Sequence, residues 1–360
     1  MNGLLEPATA AELAEAVRSA PRVIARGGGT KPRLSAAAGA TPISLRRLTG
    51  VVEYAPTEFT FTARAGTPLC DIIGELAEQG QYLPWDPPFA AAGASLGGAV
   101  GAGFNGPGRL RFGGLRDFIL GVQFVDGEGR LLRMGGKVVK NAAGFDLPKF
   151  LAGSLGRFGV LAEITFKVFP RPPASATVEF SVPSEDKLAP LVAALAKGRW
   201  EVDAVEIPVG AGRVYARVCG PVGAVPALAA DLGRQGPSRV MAEAEADLVW
   251  TGAAAFSWAH AQGVLCKVPL ALPAVSVFAA MVREIDGARA WIGAAGNVGY
   301  LSLPAGAELA PLNARFRQLG WAGLVWRGES ELWLGSSPDF QIHARIKRAL
   351  DPNNRFPPLL

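Results

Sequence analysis

The chain has 360 residues, 49% of them hydrophobic, and a formal net charge of +5. That length and apolar content suit two or three domains with cores of their own. The charge is spread in ones and twos, which excludes nucleic acid as the principal partner; the densest basic cluster, Arg109, Arg111 and Arg116, sits among glycines and suits a local anionic ligand instead.

Cys70, Cys219 and Cys266 are far apart and form no C-x-x-C motif, so an ordinary four-cysteine iron–sulfur cluster and a secreted disulfide scaffold are both excluded. Residues 1–7 have no signal-peptide pattern. The most apolar long run, 264–282, is broken by Lys267, Pro269 and Pro273. It reads as strand plus buried helix rather than a membrane span. A soluble protein in the reducing cytoplasm is expected, touching a membrane only peripherally and through partners.

In chain order, Thr9-Ala10-Ala11-Glu12 is a capping box opening a helix over 10–19. A short apolar strand, 22–25, runs into Arg26-Gly27-Gly28-Gly29-Thr30-Lys31. Successive N–H groups in such a glycine turn can converge on an anion, and a diphosphate is the natural guest. Pro32 follows at once and no helical stripe comes next, which excludes Rossmann and P-loop sites. Strands are predicted at 42–45, 51–54 and 59–65, then a helix capped by Thr67 with Pro68 at its first position and ended by Gly80.

Residues 82–88 are stiff and extended. Between Gly93 and Gly114 glycine is too dense for a core helix, yet Leu96, Val100, Phe104, Leu110 and Phe112 need burial. An ordered loop around a large flat ligand satisfies both. Gly101-Ala102-Gly103-Phe104-Asn105-Gly106 matches G-x-G-x-x-G by letter alone, because Pro107 follows and no strand–turn–helix surrounds it. A hairpin is predicted at 117–134, a polar loop at 140–146, a short helix from 147 to 152, and an alternating strand over 160–168. Residues 170–173 form the clearest linker.

Beyond it the pattern β-α-β-β-α-β occurs over 177–241 and again over 264–326, with 242–260 joining the copies. A helix over 340–350 and a rigid tail close the sequence. The fold class is therefore α+β, with domains at 1–172 and 173–335 and a terminal segment, 336–360.

Four blocks in order resemble the FAD-linked oxidases of the vanillyl-alcohol oxidase/PCMH type. They are 26–30, 94–98, 111–117, and 140–146 with 153–160; the tail 350–356 resembles that family's C-terminal signature. The short second half is most similar to the FAD-binding subunits of glycolate oxidases. The resemblance implies a PCMH-type FAD-binding domain followed by a duplicated ferredoxin-like cap, with the terminal segment packing back on the FAD domain.

It also implies residue roles. Gly27, Gly28, Gly29 and Thr30 would hold the FAD diphosphate, with Arg26 beside them. Ala94, Ser95, Gly97 and Gly98 would press on the diphosphate and ribityl chain. Gly101, Asn105, Gly106 and Gly108 would line the flavin, with Pro87, Arg111 and Gly114 as further contacts. Gly159 and Val160 would meet the adenine end. A valine at Gly28 is expected to block the cradle while sparing the fold.

Thr30-Lys31 stands where covalent members often carry histidine, so FAD is expected to be non-covalent. The only histidines, His260 and His343, lie in different segments; no metal site is expected and both are read as structural. Arg111, Lys140 and Asn141 could bind a carboxylate or form a solvated basic loop.

The implied function is oxidation of glycolate or another 2-hydroxy acid to the oxo acid. The implied partners are a second FAD-linked oxidase subunit and an iron–sulfur subunit that takes the electrons. A structural or regulatory subunit with weak or no FAD binding, and a free-standing alcohol oxidase, fit the same residues and remain alternatives.

Overall fold

The structure is a computed structural model describing residues 3–136, 146–336 and 341–358. The chain forms two compact units. The first comprises Met1–Asn105, Gly114–Arg171 and Asp339–Leu360; the second comprises Gly106–Gly113 and Pro172–Pro338.

In the first unit, α1 (Ala10–Ser19) begins where the Thr9 hydroxyl accepts from the Glu12 N–H at 3.1 Å. The Glu12 carboxylate accepts from the Ala8 N–H at 2.8 Å, one residue before the expected partner. Leu13, Ala14, Ala16 and Val17 form its buried face. Strand β1 (Val23–Arg26) then pairs in parallel with β2 (Thr41–Ser44), which fixes where the glycine turn leaves the sheet. Only a 3₁₀ turn, Pro32–Ser35, follows that turn.

Strands β3 (Val51–Ala55) and β4 (Thr60–Arg64) open an antiparallel sheet, and α2 (Leu69–Glu78) follows. Thr67 does not cap α2. Its hydroxyl donates to the Arg64 carbonyl at 2.7 Å and accepts from the Gly50 N–H at 3.0 Å, so it ties the end of β4 to the preceding loop. Two-residue β5 (Gln81–Tyr82) comes next.

A correction follows in the glycine belt, which contains a seven-residue helix, α3 (Leu96–Ala102). Ser95 caps it, accepting from the Gly98 N–H at 3.3 Å, and Gly103 stops it at φ 63°. Gly97 is there for close packing: a Cβ on it would stand 2.7 Å from the Ala65 Cβ. The helix precedes the G-x-G-x-x-G letters' last glycines instead of following them, so the match remains a false one.

After the short α4 (Arg109–Phe112) of the second unit come β6 (Ile119–Val125), β7 (Leu131–Gly135), α5 (Leu147–Phe150), β8 (Val160–Lys167) and β9 (Phe169–Pro170). The sheet order is β3-β4-β8-β6-β7, while β5 pairs with β9. Val160, Ala162, Ile164 and Phe166 are buried as their alternation predicts.

The second unit is one nine-stranded sheet. Its first copy is β10 (Ala174–Ser181), α6 (Leu188–Lys197), β11 (Ala204–Pro208), β12 (Arg213–Gly220), α7 (Val225–Gly233) and β13 (Ser238–Val240). Helix α8 (Glu243–Ala255) joins it to the second copy. That copy is β14 (Val264–Pro269), α9 (Val275–Arg283), β15 (Arg289–Gly293), β16 (Val298–Leu303), α10 (Ala310–Leu319) and β17 (Ala322–Arg327), with β18 (Trp333–Gly335) at the edge.

The order β13-β10-β12-β11-β15-β16-β14-β17-β18 places each copy's fourth strand beside its first and its third beside its second. Both copies are thus ferredoxin-like, joined edge to edge through β11 and β15. One sheet face packs on α6, α7, α9 and α10 through residues such as Val205, Val218, Cys266, Ile292 and Phe316.

Finally α11 (Gln341–Leu350) returns to the first unit. Asp351, 1% exposed, anchors it. Its carboxylate accepts from the Arg355 N–H at 2.8 Å, the Phe356 N–H at 2.9 Å and the Lys347 ammonium. Val23 N–H donates to the Arg355 carbonyl at 2.8 Å, and Gly127 N–H to that of Leu350.

Asp351→Ala should cost about 3–5 kcal/mol of stability, because it takes the counter-charge from the largely buried Lys347 ammonium and the acceptor from two N–H groups. Urea unfolding of the full chain measures this; a loss under about 1 kcal/mol would show that the tail is not held by this carboxylate.

Candidate cofactor site

The first unit contains a cleft walled by three segments of chain. One wall is Gly27–Lys31 with Leu34 and Ser35. A second is Ser95, Gly97, Gly98, Gly101 and Ala102. A third is Ser154, Leu155, Gly156 and Gly159. Three segments distant in sequence thus meet at one place.

Among the described residues, the N–H groups of Gly27, Gly28, Gly29, Thr30 and Lys31 donate to no acceptor. Gly29 has φ +81°, the left-handed conformation that turns consecutive N–H groups toward one point. Strands β1 and β2 hold the root of this turn, through Leu45 N–H to the Arg26 carbonyl at 2.9 Å.

The glycines fall into two kinds. At Gly27 and Gly28 the missing side chain allows two loops to touch: a Cβ would overlap the Ser95 hydroxyl at the first and the Gly93 carbonyl at the second. The expectation for Gly28 is therefore corrected. A side chain there strikes the protein's own backbone and not the cradle. Gly159 is likewise packed, its Cβ position 2.7 Å from the Phe124 ring. Gly101 is different: nothing lies within 4 Å of its Cβ position.

Positive charge lines the same cleft. Lys31 is 8% exposed. Its ammonium lies 4.5 Å from the centroid of the Phe104 ring and 5.7 Å from that of Phe89, and donates to the Thr30 hydroxyl at 3.0 Å. Burial pulls it down to about 8. On the loop behind the third wall, Arg157 is 3% exposed, and its Nε and Nη1 have no acceptor. Burial, and then the like charge of Arg33, pull its guanidinium down to about 10.

The expected site residues divide accordingly. Gly27, Gly28, Gly29, Thr30, Ser95, Gly97, Gly98, Gly101 and Gly159 line the cleft. Arg26, Pro87, Ala94, Asn105, Gly114 and Val160 belong to the first unit but stand outside that lining. Ala94 and Val160 are each 1% exposed. The Asn105 carboxamide staples its own loop, accepting from the Leu115 N–H at 2.6 Å and donating to the Gly103 carbonyl. The Gly114 N–H donates to Asp117 at 2.9 Å. Gly106, Gly108 and Arg111 belong to the second unit, where Arg111 pairs with Glu201 at 2.6 Å. Lys140 and Asn141 lie outside the described residues. Sequence reasoning did not assign Lys31, Arg33 and Arg157 to the site.

A second group of polar residues lies on the second unit's sheet face opposite α6, α7, α9 and α10. Cross-strand pairing sets Lys267, Tyr300 and Trp291 in a row across β14, β16 and β15. Burial, and then the Arg109 charge, pull Lys267 down to about 8. Burial, then Glu206, push the Tyr300 phenol up, while Arg109 opposes them. Glu206 is 3% exposed and accepts from the Trp291 indole and, at 3.1 Å, from the Ala294 N–H. Phe256 and Trp326 pack on Tyr300 with centroids 4.9 and 5.5 Å away. No acceptor among the described residues takes a hydrogen bond from the Lys267 ammonium.

His260 donates its N–H to Ser302 and bonds through Nε2 with the Gly287 carbonyl; His343 stacks with Phe150 and Phe158. Among the described residues no group of three His, Cys, Asp or Glu side chains could hold a metal ion, and no helix is long and apolar enough to cross a membrane.

Comparison with known proteins agrees with the cleft. Residues 1–135 match the family model described as FAD binding domain. Glycolate oxidase subunit GlcE of Escherichia coli (strain K12) is 39% identical over 175 residues, covering 49% of this chain and 50% of that protein. D-2-hydroxyglutarate dehydrogenase of Xanthomonas citri pv. viticola is 34% identical over 160 residues, covering 44% of this chain and 34% of that one. These matches span half or less of the relatives' own length.

An alkyldihydroxyacetonephosphate synthase structure superposes with TM-score 0.70 over 98% of this chain and 76% of its own, at 15% identity, which speaks to fold alone. The orphan N–H groups, the open space at Gly101 and the unneutralised Lys31 all suit a long ligand carrying a diphosphate. Residues 1–135 are thus an FAD binding domain, and FAD is its cofactor.

Proposed function

We propose that FAD binds non-covalently in the glycine-lined cleft and that the chain is the FAD-binding subunit of a complex oxidising glycolate or a related 2-hydroxy acid. The observation that carries this is the run of five N–H groups without acceptors, Gly27 to Lys31, on the wall of a cleft inside a matched FAD-binding domain. Those donors would hold the diphosphate. Ser95, Gly97, Gly98 and Gly101 would let the chain approach it without side-chain interference, and Gly159 would stand at the adenine end. Bound flavin supplies two-electron acceptance of hydride from the carbinol carbon.

The second unit offers what a 2-hydroxy carboxylate needs. Lys267 is a cation without a hydrogen-bond acceptor among the described residues, Arg109 adds a like charge near it, and Tyr300 adds a hydroxyl kept protonated. Two such cations together are stabilised by an anion, so Lys267 and Arg109 are assigned the carboxylate and Tyr300 a neighbouring oxygen. The aromatic side chains of Phe256, Trp291 and Trp326 keep water low and strengthen that attraction.

Similarity to a subunit named for glycolate oxidase supports an assembly with other subunits. Electrons would leave through an iron–sulfur partner, because this chain's three cysteines are too few for an ordinary four-cysteine cluster. A second FAD-linked oxidase subunit would complete the complex, in the cytoplasm or held at the inner membrane by partners.

The purified chain should carry FAD through desalting and release it on acid precipitation. A colourless chain after incubation with FAD would refute the reading, and flavin retained in the pellet would refute non-covalent attachment. Gly28→Val should lower flavin content and thermal stability together, because it forces the Gly93 loop away; loss of flavin with an unchanged melting temperature would contradict that packing. Lys267→Met in the assembled complex should raise KM for the hydroxy acid about 10-fold or more at unchanged flavin content. In the wild type KM should rise with pH above about 8, as the Lys267 charge is lost; a flat KM between pH 7 and 9.5 would remove Lys267 from the site.

A further inference from the structure

Lys31 is a buried cation with no opposite charge to hold it. Burial alone accounts for its depressed basicity, with no carboxylate and no other ionisable neighbour contributing. The groups around it are the Thr30 hydroxyl, the Phe104 and Phe89 rings, and the walls of the cleft. Other cations stand on adjoining segments. The Arg46 guanidinium stands 4.0 Å from the Cβ position of Gly29, and Arg33 faces Arg157.

Thr30 accepts one of the three ammonium N–H groups, and no other described acceptor is within hydrogen-bonding distance. Two aromatic faces attract an ammonium but supply far less than a counter-anion in a dry site. A neutral residue would fit this pocket at lower cost. What the pocket supplies in return is a full positive charge, two free donors, and a position next to five unpaired backbone N–H groups.

We propose that Lys31 is the cationic partner of the cofactor's diphosphate, so that FAD uptake is coupled to the charge on this one side chain. This rests on the FAD reading of the cleft. Backbone N–H groups contribute only partial charges, whereas a diphosphate brings two negative charges. One full cation in a low-dielectric cleft therefore changes affinity more than any single N–H group.

The coupling has a definite sign. In the empty protein Lys31 is protonated below about pH 8 and neutral above it. A bound diphosphate favours the charged form and raises its basicity. Above pH 8, FAD binding must therefore take up a proton, and affinity must fall as pH rises. Folding shows the opposite trend. The unfolded chain holds the Lys31 proton up to its ordinary value of 10.5, so stability of the empty protein rises with pH between about 8 and 10.5.

The test uses the full chain freed of flavin, with FAD and ADP as probes; ADP has a diphosphate but no isoalloxazine. Titration calorimetry in buffers of different ionisation enthalpy should show uptake of up to one proton per FAD or ADP bound at pH 9, and none per FAD bound at pH 6.5. Lys31→Met should weaken both ligands by about 10- to 100-fold at pH 7. It should also remove the proton uptake and leave the empty protein at least as resistant to heat as the wild type.

If the wild type binds neither ligand, the FAD reading itself fails. If the wild type binds FAD but takes up no proton, or if Lys31→Met binds FAD as tightly as the wild type, the Lys31 assignment fails and the FAD reading stands. If Lys31→Met weakens FAD but not ADP, the charge serves the flavin end and the diphosphate assignment is overturned.

Discussion

The first unit depends on the closeness of two stretches of backbone. Gly27 and Gly28 lie so near Ser95 and Gly93 that neither position has room for a Cβ. The contact is made without a hydrogen bond from the first turn, and among the described residues five of its N–H groups remain unspent. Parallel pairing of β1 with β2 fixes the turn's root, and the Ser95-capped helix α3 fixes the facing wall. The cleft is therefore a consequence of how two glycine-bearing loops approach.

The second unit divides its labour by sheet face. Alternation sends Val264, Cys266 and Val268 of β14 into the helix-covered core, which turns Leu265 and Lys267 to the other side. The same parity in β16 and β15 places Tyr300 and Trp291 beside Lys267. Duplication of one ferredoxin-like pattern thus produces a wide sheet whose uncommitted face can collect polar groups from several strands. Helix α8 covers part of that face in the first copy, where Trp250 donates to Thr177 at 2.8 Å and stacks on Arg217.

Much of this was legible in sequence, for physical reasons that differ by element. Strong alternation announced β8, and the Thr9 cap with its apolar stripe announced α1 to the residue. The duplicated strand order was legible because each copy repeats the same succession of periods. Helix α3 was not, since glycine propensity argues against it and only the close packing of Gly97 on Ala65 explains it. Helix α8 was read as a mere connector because apolar and polar residues alternate around its whole circumference.

The glycine wall of the cleft was read from the Gly-Gly-Gly turn and the belt seventy residues on. The charges at Lys31, Arg157 and Lys267 were not, because sequence does not say which cations are buried. The GSLGRFGV segment was noticed for its glycines, while its arginine carried the unusual environment.

The anchor at Asp351 has a consequence for how the molecule is made. Lys347, held by Asp351, also donates to the Arg157 carbonyl at 2.6 Å, so α11 braces the very loop whose neighbours form the third wall of the cleft. Residues 341–358 leave the ribosome only after the whole of 172–336 has been synthesised, a delay on the order of ten seconds. By the end of that interval the second unit has all its strands, while the first still lacks its last brace.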